Sequence, residues 1–396
     1  MLFQTFDEKE KCVAIYANDK IHFKKIPKNL TETWSYSAFL KDYKDIEYAQ
    51  IYCAGKTLDE MCPEYLRKEW EKVNSRLKAF YRSCSEAKLD LSQHCFFELV
   101  PQTFLKDYAK VKNAIAKYVL VGHKKPENYD FSLSLVKTLT DMKYKKLNTD
   151  FNSLNDSLHK FKVRRFVKKN KHLNHVKYDM YKTKTGRLST LPESFPILTM
   201  DKNYRRVLRP NNDWFLEFDF NAMELRVMLA LLSKDQPTED LHEWNVKNVY
   251  KNSLSREEAK KRIFAWLYNP GSRDPLSNSA YNRDEILKKH WDGTRVKTCF
   301  NKEIEADSHH ALNYIIQSTA ADLFLQQMVK IFNKLDGKKS YISFCMHDSL
   351  IMDFSEEDQF ILNELKKDFA KTELGKFRVN VSAGKNYGDM KKLLIY

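Results

Sequence analysis

Residues 341–354, YISFCM-HD-SLIMDF, are two apolar runs around a two-residue His347-Asp348 turn, the spacing of an antiparallel β-hairpin. A further apolar strand, WFLEFDF (214–220), carries an acid at its end. Asp219 and Asp348 therefore stand at strand edges, where a side chain is exposed yet held by a rigid sheet. Between them lie helical segments: AMELRVMLALL (222–232), SREEAKKRIFAWLY (255–268) and residues 309–335. The second opens on Ser255 with Glu258 three residues on, a capping box.

Two carboxylates so placed suit the chemistry of phosphoryl transfer. That reaction asks little covalent chemistry of a protein and needs two divalent ions that bind the attacking and leaving oxygens. Mg²⁺ keeps most of its water and takes one or two carboxylates plus substrate phosphates. Taken singly, each aspartate reads more readily as a turn or cap acid than as a metal ligand.

The helix after Ser255 adds weight. Arg256, Lys260, Phe264 and Tyr268 recur every four residues, each step turning about 40°, and so form one slowly curling stripe. Its order is cation, cation, ring, ring: a grip for a triphosphate, then a stack for sugar and base. An ordinary amphipathic helix would put rings and cations on opposite faces, whereas here they share one.

The 396-residue chain is long enough for two or three domains, and 42% apolar residues imply a folded protein. Lys and Arg total 68 against 53 Asp and Glu, a net charge of +15 that suits a polyanionic partner, although a generally Lys-rich composition gives the same balance. Residues 160–187 concentrate this charge: eleven Lys/Arg and one acid, Asp179, interleaved with Phe161, Phe166, Tyr178 and Tyr181. Cations meet phosphates and rings pack on sugars or bases, so the stretch reads as a strand-tracking groove, with a solvated face as the alternative.

The seven cysteines are scattered with no C-x-x-C pair, which points away from a zinc knuckle or disulfide framework and towards a reducing compartment. No signal or transit peptide is read at the amino terminus and no apolar run reaches about 18 residues, so the expectation is a cytoplasmic protein without a membrane span. Residues 1–23 read as a β-hairpin, LFQTF and CVAIYAN around a DEKEK turn, followed by a second turn at Asp19-Lys20. Residues 46–55 read as a short strand. Helical patterning runs from about Met61, through 103–121 and 131–170, with a break at 122–126.

Six segments in order resemble family A DNA polymerases, the bacterial DNA polymerase I family, from about Tyr181 to Tyr396. TKTGRLST (183–190) resembles a family motif that opens the polymerase region; DFNAMELR (219–226) resembles motif A and REEAKKRIFAWLY (256–268) motif B. HHALNYIIQSTAADLF (309–324) is similar to the long palm helix, MHDSL (346–350) to motif C, and VNVSAGKNYGDM (379–390) to the terminal strand and turn.

The resemblance implies an α+β right-hand polymerase, with an antiparallel palm sheet, helical thumb and fingers, and a small β-containing amino-terminal domain. The domains expected are 1–85, a vestigial amino-terminal domain; 86–185, a basic helical thumb; and 186–396, palm and fingers, the fingers at about 233–305. It also implies template-directed DNA synthesis from a primer by a compact, monomeric, viral or mobile-element type of enzyme. Primer–template DNA and deoxynucleoside triphosphates would be partners, with a replisome or processivity partner open. Two Mg²⁺ ions, replaceable by Mn²⁺, would be held by Asp219, Asp348 and the Phe220 carbonyl. Arg256, Lys260 and His242 would hold the triphosphate, with Lys260 also the acid for pyrophosphate release. Phe264 would pack on the sugar and Tyr268 near the templating base. Glu224 would pair with Tyr268 and close the space for a ribose 2′-hydroxyl. Arg187, Asn313 and Gln317 would read the primer–template minor groove, and His347 would touch the primer end.

Three departures stand out. Ser349 follows the motif C aspartate where the family usually has Glu. Ala265 and Asn269 replace usual glycines, with Pro270-Gly271 left to supply the turn. The segment between Tyr268 and Gln317 is short, implying trimmed fingers. A proofreading exonuclease needs an early D-x-E with further acids; residues 1–60 are read as lacking it, Asp7 and Glu8 falling in a turn. The rivals are a single-subunit phage-type RNA polymerase, which shares His-Asp-Ser at motif C, and an inactive nucleic-acid-binding scaffold. A bulky residue at Glu224 favours deoxynucleotides over the first; Asp219, Asp348, Arg256 and Lys260 together speak against the second.

Overall fold

Alternating apolar residues at the amino terminus build a sheet with two buried faces. In the computed structural model, which describes residues 1–6, 13–23, 26–43, 45–89, 91 and 94–393, strands β1 (Phe3–Phe6), β2 (Ala14–Ala17) and β3 (Lys20–His22) form an antiparallel meander. The register Phe3↔Ala17 and Thr5↔Ile15 sets one face; Gln4↔Tyr16 and Phe6↔Ala14 set the other. Phe3, Ile15 and Ala17 pack with Leu30, Leu40 and Tyr129. Phe6, Ala14 and Tyr16 pack with Trp34, Trp70 and Phe104. Helices α1 (Arg67–Glu86), α2 (Gln102–Gly122) and α3 (Tyr129–Tyr144) complete this unit, Met1–Tyr144.

Several sequence expectations need correction here. The second turn lies at Asn18-Asp19, both at positive φ, because Lys20 already pairs with Ala17. Residues 46–55 hold only a two-residue strand, Glu47–Tyr48, before the helix Ala49–Tyr52. The Tyr48 amide, which could have extended a ladder, donates instead to the Tyr129 hydroxyl at 2.9 Å. Helical structure over 131–170 is interrupted after α3 by a 3₁₀ turn, Phe151–Ser157, opened by the Asp150 side chain. The DEKEK turn, with Asp7 and Glu8, lies outside the described residues.

The expected absence of D-x-E was also mistaken: Asp45-Ile46-Glu47 has that spacing. The structure gives its two acids separate surroundings. Asp45 is exposed at φ 65°. Glu47 accepts from Tyr52 at 2.8 Å and from Lys125 at 3.0 Å.

The second unit, Lys145–Tyr396, begins inside the segment 86–185 assigned to the thumb. Its basic helix α4 (Phe161–Asn170) precedes strand β4 (Trp214–Phe220), which runs into α5 (Met223–Leu231), α6 (Leu241–Asn248) and α7 (Arg256–Tyr268). The Ser255–Glu258 capping box at the start of α7 is fully formed. The long α8 (Ala311–Lys334) leads to the hairpin β5 (Tyr341–Met346) and β6 (Ser349–Phe354), then α9 (Leu362–Ala370), β7 (Val379–Gly384) and β8 (Lys391–Lys392). The sheet order is β5-β6-β4-β7-β8, antiparallel throughout.

Strand period divides β4 into two faces. Phe218 and Phe220 point to the helical side, where Phe369 of α9 packs on them with centroids 5.6 and 4.5 Å away. Each such ring contributes roughly 1.5–3 kcal/mol by leaving water. Phe215, Glu217 and Asp219 occupy the opposite face. The acids are thus carried on a sheet anchored from behind by helices. The fold class is α+β, as expected. Among the described residues no helix is long and apolar enough to cross a membrane.

Candidate active site

Register brings the acids together. Asp219 on β4 lies opposite Ser349 of β6 and Asn380 of β7, so all three share one face. The Ser349 hydroxyl donates to Asp219 Oδ1 at 2.7 Å and the Asn380 amide to Oδ2 at 3.2 Å. Asp348 precedes Ser349 in the turn, after His347 at φ 56°. Burial first, then the nearby charge of Asp219, pushes Asp348 up to about 7. Glu217 is pushed up to about 7 by the same two causes in the same order. Like charges this close favour a bound divalent cation, and the donor set is oxygen, the set Mg²⁺ prefers. Among the described residues no three His, Cys, Asp or Glu side chains converge as a preformed cage. An ion here would draw its remaining ligands from water and substrate. Phe220 ends β4 with its ring buried.

A sharp strand-to-helix turn follows. Ala222 adopts φ 53°, ψ 51°, a left-handed conformation that costs an alanine about 1–2 kcal/mol. It places Glu224 in the first turn of α5. Glu224 accepts from Arg187 at 2.5 Å and from the Tyr268 hydroxyl at the end of α7. Arg187, Glu224, His347 and Asp348 line one small concavity with Met223 and Ala320. Before Arg187, Gly186 stands at φ 79°, where an added Cβ would lie 2.6 Å from Lys302 Nζ. Lys302 itself pairs with Asp322 of α8 at 2.6 Å.

On α7, the Phe264 and Tyr268 rings stack with centroids 5.9 Å apart, so the shared face is real. Lys260 stands exposed. Arg256 is committed to Asp240, by Nε at 3.2 Å and Nη2 at 3.0 Å, with Glu243 and Glu257 also near. Burial raises the Asp240 carboxyl, but bonds from Arg256, Asn221 and the Glu243 amide outweigh it and hold it below the usual range. His242 is buried beside Phe264, its Nδ1 without a partner, and burial depresses it to about 4, so it is neutral at pH 7. The helix ends at Asn269, whose side chain accepts from the Gly271 amide at 3.0 Å.

Asn313 and Gln317 lie half-buried on α8; the Asn313 carbonyl is buried without a partner, and Gln317 reaches Tyr268. Sequence reasoning missed three contributors. Glu217 was available from strand period, two residues before Asp219. Asn380 requires the β4–β7 register. Arg226, fully buried, donates to the carbonyls of Asn221, Pro237 and Glu239 at 2.7, 2.9 and 3.1 Å, tying the strand end to the loop before α6.

An acid-bearing antiparallel sheet, joined through Glu224 and Tyr268 to the cationic–aromatic helix α7, is the frame on which the site is built. Comparison with known proteins adds to this picture. Residues 276–389 match the model of DNA polymerase family A. DNA polymerase I of Borreliella burgdorferi is 24% identical over 276 residues, which covers 54% of this chain and 30% of that protein. The thermostable DNA polymerase I of Thermus aquaticus is 26% identical over 246 residues, covering 49% and 29%. The chain thus spans about 30% of the length of these curated relatives. A solved structure, the POL domain of Pol1 from M. smegmatis in complex with DNA primer-template and dNTP, aligns with TM-score 0.55 and 13% identity, over 72% of this chain and 75% of that one; at that identity the likeness is one of fold. Taken together, these likenesses are to family A DNA polymerases.

Proposed function

We propose that the chain is a template-directed DNA polymerase that adds deoxynucleoside triphosphates to a primer 3′ end, with primer–template DNA as its partner. The observation that carries this reading is the meeting of Asp219, on β4, with Asp348, in the turn that leads into the adjacent strand β6, together with the bond from Tyr268 of α7 to Glu224.

Asp219, Asp348 and the Phe220 carbonyl would hold two Mg²⁺ ions, with Mn²⁺ as a substitute. When bound, these supply charge neutralisation for the attacking 3′-oxygen and the departing pyrophosphate. The protein's own groups do the rest. Ser349 and Asn380 fix the Asp219 carboxylate, so its orientation is set before substrate arrives. Lys260 and Arg256 bind the triphosphate, Arg256 by exchanging an acid partner for phosphate, and Lys260 Nζ holds the proton passed to the leaving pyrophosphate. Neutral His242 offers a hydrogen bond rather than a charge. Phe264 packs on the sugar, and Tyr268, held by Glu224, lies near the templating base. Glu224 fills the space a ribose 2′-hydroxyl would need. Arg187, Asn313 and Gln317 contact the minor groove, His347 the primer end, and the basic stretch 160–187, within the proposed thumb, the duplex backbone.

Extension of a labelled DNA primer on a DNA template with Mg²⁺ tests this. Deoxynucleotide incorporation abolished by Asp348→Ala is the expected result. Preference for ribonucleotides would move the chain to the RNA polymerase reading, and primer–template binding without extension under either metal would leave a scaffold.

A further inference from the structure

Glu217 and Asp219 are two residues apart on β4 and so share the sheet face. Around the Glu217 carboxylate lie Ser349, Asp219, Asp348 and one cation, Arg205. Among the described residues Arg205 makes no ion pair with it. Arg205 Nη2 bonds to the Met346 sulfur at 2.8 Å, its Nε is buried without a partner, and its guanidinium covers the Tyr387 ring. The Ser349 hydroxyl carries a single proton, directed at Asp219 Oδ1 at 2.7 Å. It cannot serve Glu217 at the same time. Two carboxylates therefore contend for one donor while a third, Asp348, stands beside them. Partly buried charges in such a position are normally paired or bound to a metal.

We propose that Glu217 is a third carboxylate beside the cation site, reaching the ion through its bound water, with Ser349 positioning Asp219 next to it. The residue after Asp348 can then be a hydroxyl, because the negative charge is supplied from the neighbouring strand. This inference rests on the polymerase reading above.

Mn²⁺ titration of the metal-free full chain, followed by electron paramagnetic resonance, separates the two. Glu217→Gln is expected to weaken Mn²⁺ binding about tenfold, the low end of what removing a supporting group does to a metal site. It should also raise the metal concentration that half-saturates primer extension. Ser349→Glu in the same chain should restore both, since it returns a carboxylate to the position opposite Asp219. Thermal unfolding checks that each variant is folded. Unchanged Mn²⁺ affinity in Glu217→Gln, with Asp219→Asn weakened, overturns this inference and leaves the polymerase. A lowered unfolding temperature with unchanged metal dependence overturns it equally, by making Glu217 structural. Unchanged affinity in Asp219→Asn sinks the metal reading itself.

Discussion

At the residue scale, Asp348 and Glu217 give the site a pH signature of known sign. Both stand at about 7 in the folded chain, whereas an unfolded carboxyl titrates near 4. Between these values the folded state binds the extra protons, so metal-free stability declines as pH rises from about 4 to about 7. The acids interact and titrate as a set. His242 and His347, both depressed, pull the other way below about 6.5. The diagnostic is therefore the difference between wild type and Asp348→Asn. With chelator present, the variant should gain unfolding temperature relative to wild type between pH 5.5 and 8, and Mg²⁺ should raise the wild-type value at pH 8. Equal profiles would show that the acids are not crowded. Glu224 makes a second residue-scale prediction. Replacing it with Ala removes both its bond to Tyr268 and its bulk, so discrimination against ribonucleotides should fall at least roughly tenfold, about 1.4 kcal/mol, in competitive incorporation assays.

At the scale of elements, local signals and tertiary ones part company. Helix α7 was readable to the residue because its stripe and its Ser255 capping box are local. Ser255→Ala should lower stability by about 1 kcal/mol in denaturant unfolding. The joint between β4 and the loop before α6 was invisible, since it depends on buried Arg226 meeting carbonyls up to thirteen residues away. Arg226→Ala leaves three acceptors without that donor, and should lower stability by roughly 3 kcal/mol or more, well beyond the cap change. An effect no larger than that of Ser255→Ala would show that water replaces the guanidinium. Residues 46–55 failed as a strand for a related reason: the ladder stops where a distant tyrosine takes the amide.

At the scale of the whole molecule, the charge of +15 is uneven, and α4 carries a dense part of it. Each phosphate contact adds roughly 0.9 to the slope of log affinity against log salt on duplex DNA. Lys168→Glu with Lys169→Glu should therefore weaken primer–template binding and flatten that slope by one to two in filter-binding titrations. An unchanged slope would make α4 a solvated face. Sequence alone determined the strand WFLEFDF, the His347-Asp348 hairpin, the motif helices and the charge of 160–187, because periodicity, caps and turns act over a few residues. Tertiary structure decided which strands became neighbours. That register brought Ser349 and Asn380 onto Asp219, set Glu217 beside Ser349 and joined Glu224 to Tyr268. These contacts link residues far apart in the chain, and they exist only once burial of Phe218 and Phe220 against Phe369 has fixed which face of the sheet meets water.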